Sequence, residues 1–149
     1  MSPRRQDDAL LALARGMIGL ATRAADELGQ ISVVQLRALT VLRELGPVSL
    51  VQLAEGVGVT ASTTSRLVDR LVSAGYAERR PSPESRRQIE LRLTPEGEAT
   101  LARYDELRLR RLRAALDRIP EDRRVDVVEA LAGFSAAVRL APEPVPAGS

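Results

Sequence analysis

The 149-residue sequence predicts a mainly α-helical fold with one small β-hairpin. Three observations predict it. Apolar residues recur at steps of three and four over most of the chain, which is the spacing of one helix face. Two short helical segments are joined by a tight turn that contains Gly58. Further along, apolar and polar residues alternate on both sides of a proline- and arginine-rich segment at 81–88.

The first two helices are predicted at residues 7–28 and at about 32–45. The first carries an apolar stripe that runs from Leu10 to Leu28, and Gly29 ends it. Ser32 is an N-cap candidate for the second helix. Gly46 and Pro47 end that helix, because glycine adopts the left-handed C-terminal conformation and proline cannot continue the helix.

The next two helices are short, at 49–55 and 60–74, with residues 56–59 as the turn between them. Ser49 and Thr60 are expected N-caps, since their hydroxyls can accept a free amide of the first turn. Gly58 is expected to take a positive φ in the turn. Thr64 occupies a position where a β-branched apolar residue would pack, so we expect its hydroxyl to bond a carbonyl one turn back. This arrangement is a helix-turn-helix.

Residues 76–80 and 89–93 are predicted to form the two strands of the hairpin, with an arginine-rich tip between them. A long helix follows from Thr94, the expected N-cap, to about Ile119, and Gly97 is expected to be merely tolerated in it. Pro120 breaks that helix, and a last one is predicted at 122–140. Residues 141–149 contain three prolines and are predicted to be a disordered tail.

Composition excludes several classes of function. The sequence has no cysteine, histidine or lysine, and all 22 basic residues are arginine. The usual general bases, thiol nucleophiles and imidazole or thiolate metal ligands are therefore missing, so we predict no enzyme, no metal and no cofactor. No apolar run approaches the ~20 residues that cross a bilayer, and the N-terminus lacks a signal-like core. We expect a cytoplasmic protein without a membrane partner.

The distribution of charge predicts a nucleic-acid partner. The net charge is only +2, but residues 60–94 carry seven arginines and four acids, whereas the flanking segments are neutral or slightly acidic. In a helix-turn-helix the second helix enters the major groove of DNA. Hydroxyl groups near its start suit base edges or phosphates, and an arginine can bind guanine in a bidentate manner. An arginine at a hairpin tip can enter a narrow minor groove.

Three segments in combination resemble the winged helix-turn-helix of the MarR-family transcriptional regulators: SRLVDRL (65–71), AGYAERRPSPESRR (74–87) and LRLTPEG (91–97). The order of the elements resembles the family as well. The resemblance implies a winged helix-turn-helix DNA-binding region at 30–94 and a helical dimerisation region formed by 1–29 and 95–140. It implies DNA contacts from the start of the recognition helix and from the tip of the hairpin, or wing: Thr60, Ser62, Thr63, Ser65, Arg66, Arg70, Arg86 and Arg87.

The resemblance further implies a homodimer that binds a palindromic operator in double-stranded DNA. Such regulators are typically repressors that a small aromatic or anionic ligand releases from DNA. The family usually has an aspartate two residues before the tip arginine, to brace the wing, and this chain has Ser85 there, next to Glu84. Either Glu84 takes over the bracing or the wing is looser. The alternative function is a winged-helix module that binds another protein without specific DNA binding.

Overall fold

The computed structural model describes residues 2–140, and the predicted tail at 141–149 lies outside them. In chain order the elements are α1 (Pro3–Leu28), α2 (Val33–Leu45), α3 (Leu50–Val57), α4 (Ala61–Ser73), β1 (Ala77–Pro81), β2 (Ile89–Leu93), α5 (Pro95–Leu116) and α6 (Glu121–Leu140). The two strands form one antiparallel hairpin. The predicted fold class is confirmed.

The predicted N-caps of α2 and α3 are confirmed as full capping boxes. The Ser32 hydroxyl accepts from the amide of Gln35 at 3.2 Å, and the Gln35 side chain accepts from the amide of Ser32 at 2.8 Å. Ser49 and Gln52 repeat this arrangement at 3.2 and 2.9 Å. Each box satisfies two amides that the helix itself leaves without a partner, so the sequence defines both helix starts locally. Gly58 ends α3 with a φ of 82°, as expected.

Several predicted boundaries are wrong by one to four residues. Helix α1 begins at Pro3, because proline fits the first helical position, where no amide donor is needed. Strand β1 begins and ends one residue later than predicted. Helix α5 ends at Leu116 and not at Ile119, since the amides of Arg118 and Ile119 bond carbonyls three residues back and tighten the chain into a turn.

The chain divides into two compact units, one up to Leu109 and one from Arg110 onward. The first unit holds the hydrophobic core. Its largest fully buried side chains come from α2 to α5: Leu36, Leu39, Leu42, Leu53, Leu71 and Leu101. Helix α1 adds only the small residues Ala24 and Ala25 to the buried set, while Leu11 and Ile18 stay exposed. The core therefore positions the helix-turn-helix and leaves most of α1 outside.

The second unit contains the end of α5 and all of α6. Arg124 closes the turn between them by donating to the carbonyls of Ile119 at 2.9 Å and Asp117 at 3.0 Å. None of the α6 residues is buried within the chain. The predicted apolar stripe of α6 is present but uncovered, and Val125 is 66% exposed.

A short β-bridge joins the hairpin to the link between α2 and α3. Its register pairs Ala77 with Leu93 and Arg79 with Leu91. Leu91 also exchanges both backbone hydrogen bonds with Val48, in the link between α2 and α3, at 2.7 and 3.2 Å. Because Leu91, Val48 and Ala77 are all buried, the base of the hairpin is part of the core.

The expectation that Gly97 is merely tolerated is wrong. A Cβ atom at position 97 would lie 2.1 Å from the carbonyl oxygen of Tyr76 and 2.7 Å from Leu93 Cδ1. This carbonyl belongs to the turn between α4 and β1, which Thr94 holds by donating its amide to Tyr76 at 3.1 Å and its hydroxyl to Gly75 at 2.6 Å. Only glycine fits where this turn meets the start of α5.

A carboxylate on α5 links α2 to that helix. Asp105 accepts from Arg43 at 2.8 Å and also from Arg108, which stacks on the ring of Tyr104. Burial by itself would raise the pKa of Asp105. The hydrogen bonds from Arg108 and Arg43 outweigh burial and lower the pKa below its ordinary value. The carboxylate therefore stays charged within a three-residue cluster.

Candidate nucleic-acid interface

One side of α4 packs into the core and the other faces solvent. Thr64, Leu67, Val68 and Leu71 are buried, in steps of three and four. The opposite stripe consists of the exposed residues Ser62, Thr63, Arg66 and Arg70, with the half-buried Ser65 at its edge. We call this stripe the reading face. The structure thus brings together all five site residues predicted on α4.

Thr60 lies at the start of α4 and acts as its cap. Its hydroxyl oxygen accepts from the amide of Thr63 at 3.3 Å, and its proton is donated to Thr63 Oγ1 at 3.0 Å. Ser62 Oγ lies 3.2 Å from the same oxygen. The hydroxyl of Thr60 is therefore occupied within the helix start, while Thr63 keeps its own proton for an outside acceptor.

The buried hydroxyl of Thr64 has the partner that the sequence predicts. Thr64 is fully buried, and its Oγ1 donates to the carbonyl of Thr60 at 2.9 Å. A buried hydroxyl without a partner would be costly. This bond lets a polar residue replace an apolar one beneath the reading face without disturbing the helix.

Each of the three arginines on the strands of the wing is paired with an acidic side chain. On β1, Arg80 donates to Glu78 at 3.0 Å, and on β2, Arg92 donates to Glu90 at 3.3 Å. The hydrogen bond from Arg80 lowers the pKa of Glu78, and that bond raises the pKa of Arg80 in return. Arg79 forms an ion pair with Asp69 of α4. The strands contribute no unpaired arginine to a DNA surface.

A backbone turn and one side-chain pair brace the tip of the wing. The amide of Ser82 donates to the carbonyl of Gln88 at 2.7 Å, and the amide of Ser85 donates back to Ser82. The buried hydroxyl of Ser82 donates to Glu90 at 2.9 Å. Within residues 2–140 neither the Glu84 nor the Ser85 side chain has a hydrogen-bond partner, so Glu84 does not take over the bracing.

The tip presents two arginines that have no partner in the described part of the chain. Arg86 and Arg87 are exposed and form no ion pair there, and the same holds for Arg66 and Arg70 on the reading face. The seven arginines of 60–94 thus separate into three paired ones on the strands and four unpaired ones. The unpaired four are the arginines among the predicted DNA contacts.

Sequence reasoning missed two features of this surface. The Ser82–Glu90 brace joins the residue directly after β1 to a residue of β2, and the hairpin register could have indicated it. The Asp69–Arg79 pair joins α4 to β1, and nothing in the sequence near either residue indicates it. Among residues 2–140 there is no group of acidic side chains that could hold a metal ion. No helix within the same range is long and apolar enough to span a membrane.

The model of the MarR family matches residues 31–89, from the start of α2 into the wing. The multiple antibiotic resistance protein MarR of Salmonella typhimurium is 33% identical over 69 residues, 46% of this chain and 48% of that protein. The chain therefore matches about half the length of this relative.

Two solved structures extend the likeness to nearly the whole chain. The structure of RV1404 from Mycobacterium tuberculosis superimposes with a TM-score of 0.81 and 32% identity, over 92% of this chain and 94% of the other. Wild-type MarR from Escherichia coli superimposes with a TM-score of 0.73 over 91% and 96% of the two chains. Its 23% identity supports the shared fold alone.

Proposed function

The chain belongs to the MarR family of transcriptional regulators, and from this premise we propose that it is a homodimeric repressor that binds a palindromic operator in double-stranded DNA. The observation that carries the proposal is the separation of charge in residues 60–94. The arginines that remain unpaired lie on the reading face and at the wing tip, where a groove-binding protein needs them.

The reading face is suited to the major groove. Arg66 is exposed one turn beyond Ser62, and an arginine in this position can bind the O6 and N7 atoms of guanine together. The hydroxyls of Ser62, Thr63 and Ser65 are suited to bases or phosphates. Arg86 and Arg87 at the wing tip are suited to an adjacent minor groove, whose negative potential attracts arginine.

Uncovered apolar surface supports the homodimer. In the first unit, α1 exposes Leu11 and Ile18, and in the second unit α6 exposes Val125, Leu131 and Phe134. Apolar faces of this extent are typical of an interface with another chain. A twofold dimer would present two copies of α4 to two half-sites about one helical turn apart.

The dimer is tested by light scattering after size-exclusion chromatography. Leu131→Glu places a charge on the uncovered face of α6, and it should shift the protein toward the mass of one chain. Val51→Glu is the matched control, because Val51 is also an exposed apolar residue but lies on α3. The proposal fails if both variants keep the mass of the unsubstituted protein, or if that protein is itself monomeric.

DNA binding is tested by selecting sites from random duplexes and measuring fluorescence anisotropy at two salt concentrations with scrambled competitor. Binding should weaken steeply with salt, because arginines displace counterions from phosphates. Arg66→Ala should cost about 1–3 kcal/mol at a guanine that it contacts. Arg15→Ala removes one exposed arginine from α1 and should leave the affinity unchanged. Failure of the unsubstituted protein to prefer any duplex would favour the protein-binding alternative.

Repression and its release complete the proposal. In an in vitro transcription assay the protein should lower transcript from a promoter that overlaps the selected site. A sequence without cysteine offers no thiol switch, and the resemblance to the MarR family implies a small aromatic or anionic ligand, which we propose as the releasing agent. Salicylate and benzoate, with neutral benzamide as control, are the first probes to add to the protein–DNA complex. Release by benzamide as readily as by benzoate would contradict an anionic ligand.

A further inference from the structure

One acidic residue lies on the DNA side of α4. At about 100° per residue, Asp69 projects within roughly 60° of Ser62 and Arg66, so it belongs to the same stripe as the reading face. Its side chain is 62% exposed. A carboxylate in this position would approach phosphates or base edges together with Arg66. An unpaired negative charge at this point would oppose binding to DNA.

The charge of Asp69 is neutralised by the other half of the predicted interface. Arg79 Nη2 donates to Asp69 Oδ1, and Arg79 lies on β1, the first strand of the wing. Leu91, opposite Arg79 in the hairpin register, is buried against the core. This is the one ion pair that joins α4 to the wing among residues 2–140.

Resting on the proposed function, we infer that Asp69 and Arg79 form a positioning pair that fixes the spacing between the recognition helix and the wing. Arg66 in the major groove and the tip arginines in the minor groove must reach one DNA duplex at the same time. A link between α4 and β1 restricts the distance between these two sets of contacts. The pair therefore determines which operator geometry the protein accepts.

Two other roles for the pair lead to different results. Arg79 could instead leave Asp69 when DNA binds and contact a phosphate. Asp69 could be a base reader, since a carboxylate accepts from the amino group of cytosine. An exposed ion pair contributes little to folding stability, so variants of both residues should fold and allow these roles to be separated.

The test compares Arg79→Met, Asp69→Asn and the double variant with Arg80→Met. Arg80 is the matched control, because it is also a β1 arginine but its partner, Glu78, is on the same strand. Circular dichroism and light scattering check that each variant folds and associates like the unsubstituted protein. Affinity is measured for the selected operator and for versions with one base pair inserted or removed between the helix contact and the wing contact.

Arg79→Met should weaken binding to the selected operator about tenfold, which is ~1.4 kcal/mol, because the carboxylate of Asp69 is left unpaired near DNA. The double variant removes that charge and should recover affinity. It should nevertheless lose the preference for the original spacing, since the link between α4 and β1 is gone. Arg80→Met should keep both affinity and spacing preference.

Three results would overturn the inference while leaving the proposed function intact. The first is a double variant that keeps the full spacing preference, which would make the pair a charge neutraliser only. The second is tighter binding by Asp69→Asn with a salt slope steeper by about two for a dimer, which would make Arg79 a phosphate contact. The third is a loss confined to operators with one particular cytosine, which would make Asp69 a base reader. If the unsubstituted protein prefers no duplex, the proposed function fails and the inference fails with it.

Discussion

Gly97→Ala should destabilise the protein although alanine is the better helix former. Residue 97 lies in the first turn of α5, directly against the turn that joins α4 to β1. The added Cβ would lie 2.1 Å from the carbonyl oxygen of Tyr76. A carbon and an oxygen normally approach to about 3.3 Å, so one of the two backbones must move by roughly 1 Å.

The energetic cost of Gly97→Ala depends on the hydrogen bonds that fix the Tyr76 carbonyl in place. Leu93 can rotate away from the new methyl group, but the Tyr76 carbonyl accepts from Thr94 at 3.1 Å and the neighbouring Gly75 carbonyl accepts at 2.6 Å. Overpacking costs about 1–3 kcal/mol, and a weakened hydrogen bond adds about 1. The higher helix propensity of alanine offsets up to about 1 kcal/mol of this loss. We expect a net loss of about 1–3 kcal/mol in the free energy of unfolding.

The assay is urea denaturation at a fixed protein concentration, because association contributes to apparent stability. Gly133→Ala is the control: it lies within α6, and a Cβ there meets nothing within 4 Å in the described chain. It should be neutral or should stabilise by about 0.5–1 kcal/mol. A Gly97→Ala protein as stable as the Gly133→Ala protein would refute the steric argument.

Three further results are expected. Arg87→Ala should reduce the slope of log Kd against log salt by about two for a dimer, whereas Arg80→Ala should leave the slope unchanged, because Glu78 already pairs with Arg80. Equal salt slopes for the Arg87→Ala and Arg80→Ala proteins in anisotropy titrations would contradict this. The pKa of Asp105 is lowered in the fold, so its stabilisation is present above the ordinary carboxyl pKa and is lost as pH falls below about 4. Asp105→Asn should flatten the acid side of a plot of stability against pH. A curve as steep as that of the unsubstituted protein would contradict this expectation. Thr60→Ala should cost about 1 kcal/mol by removing the cap of α4, and Thr60→Ser should not; equal urea midpoints for the two would exclude the capping role.

Local signals explain why most of the fold could be predicted. Ser32, Ser49 and Thr60 cap helices through residues only three positions away, so the sequence around each start contains all the necessary information. The helix-turn-helix follows from two such starts and from Gly58, whose positive φ the turn requires. These predictions depend on no distant part of the chain.

Contacts between distant segments explain what could not be predicted. Gly97 has an unremarkable local setting, and its requirement comes from a carbonyl at Tyr76 that only the folded chain brings near. The Ser82–Glu90 brace depends on the hairpin register, and Asp69–Arg79 depends on how β1 lies against α4. Such pairs follow from tertiary packing, which a single sequence does not specify.

Net charge is therefore a poor measure of a DNA-binding surface. Residues 60–94 have an excess of three positive charges, but three of their seven arginines are already paired with acidic side chains and four are unpaired. The unpaired four, Arg66, Arg70, Arg86 and Arg87, number eight in a dimer. If all eight displaced counterions, log Kd would change with log salt by a slope of about seven. A steeper measured slope would mean that these four arginines do not supply all the phosphate contacts, and Arg79, once it leaves Asp69, would be the first further contact to examine.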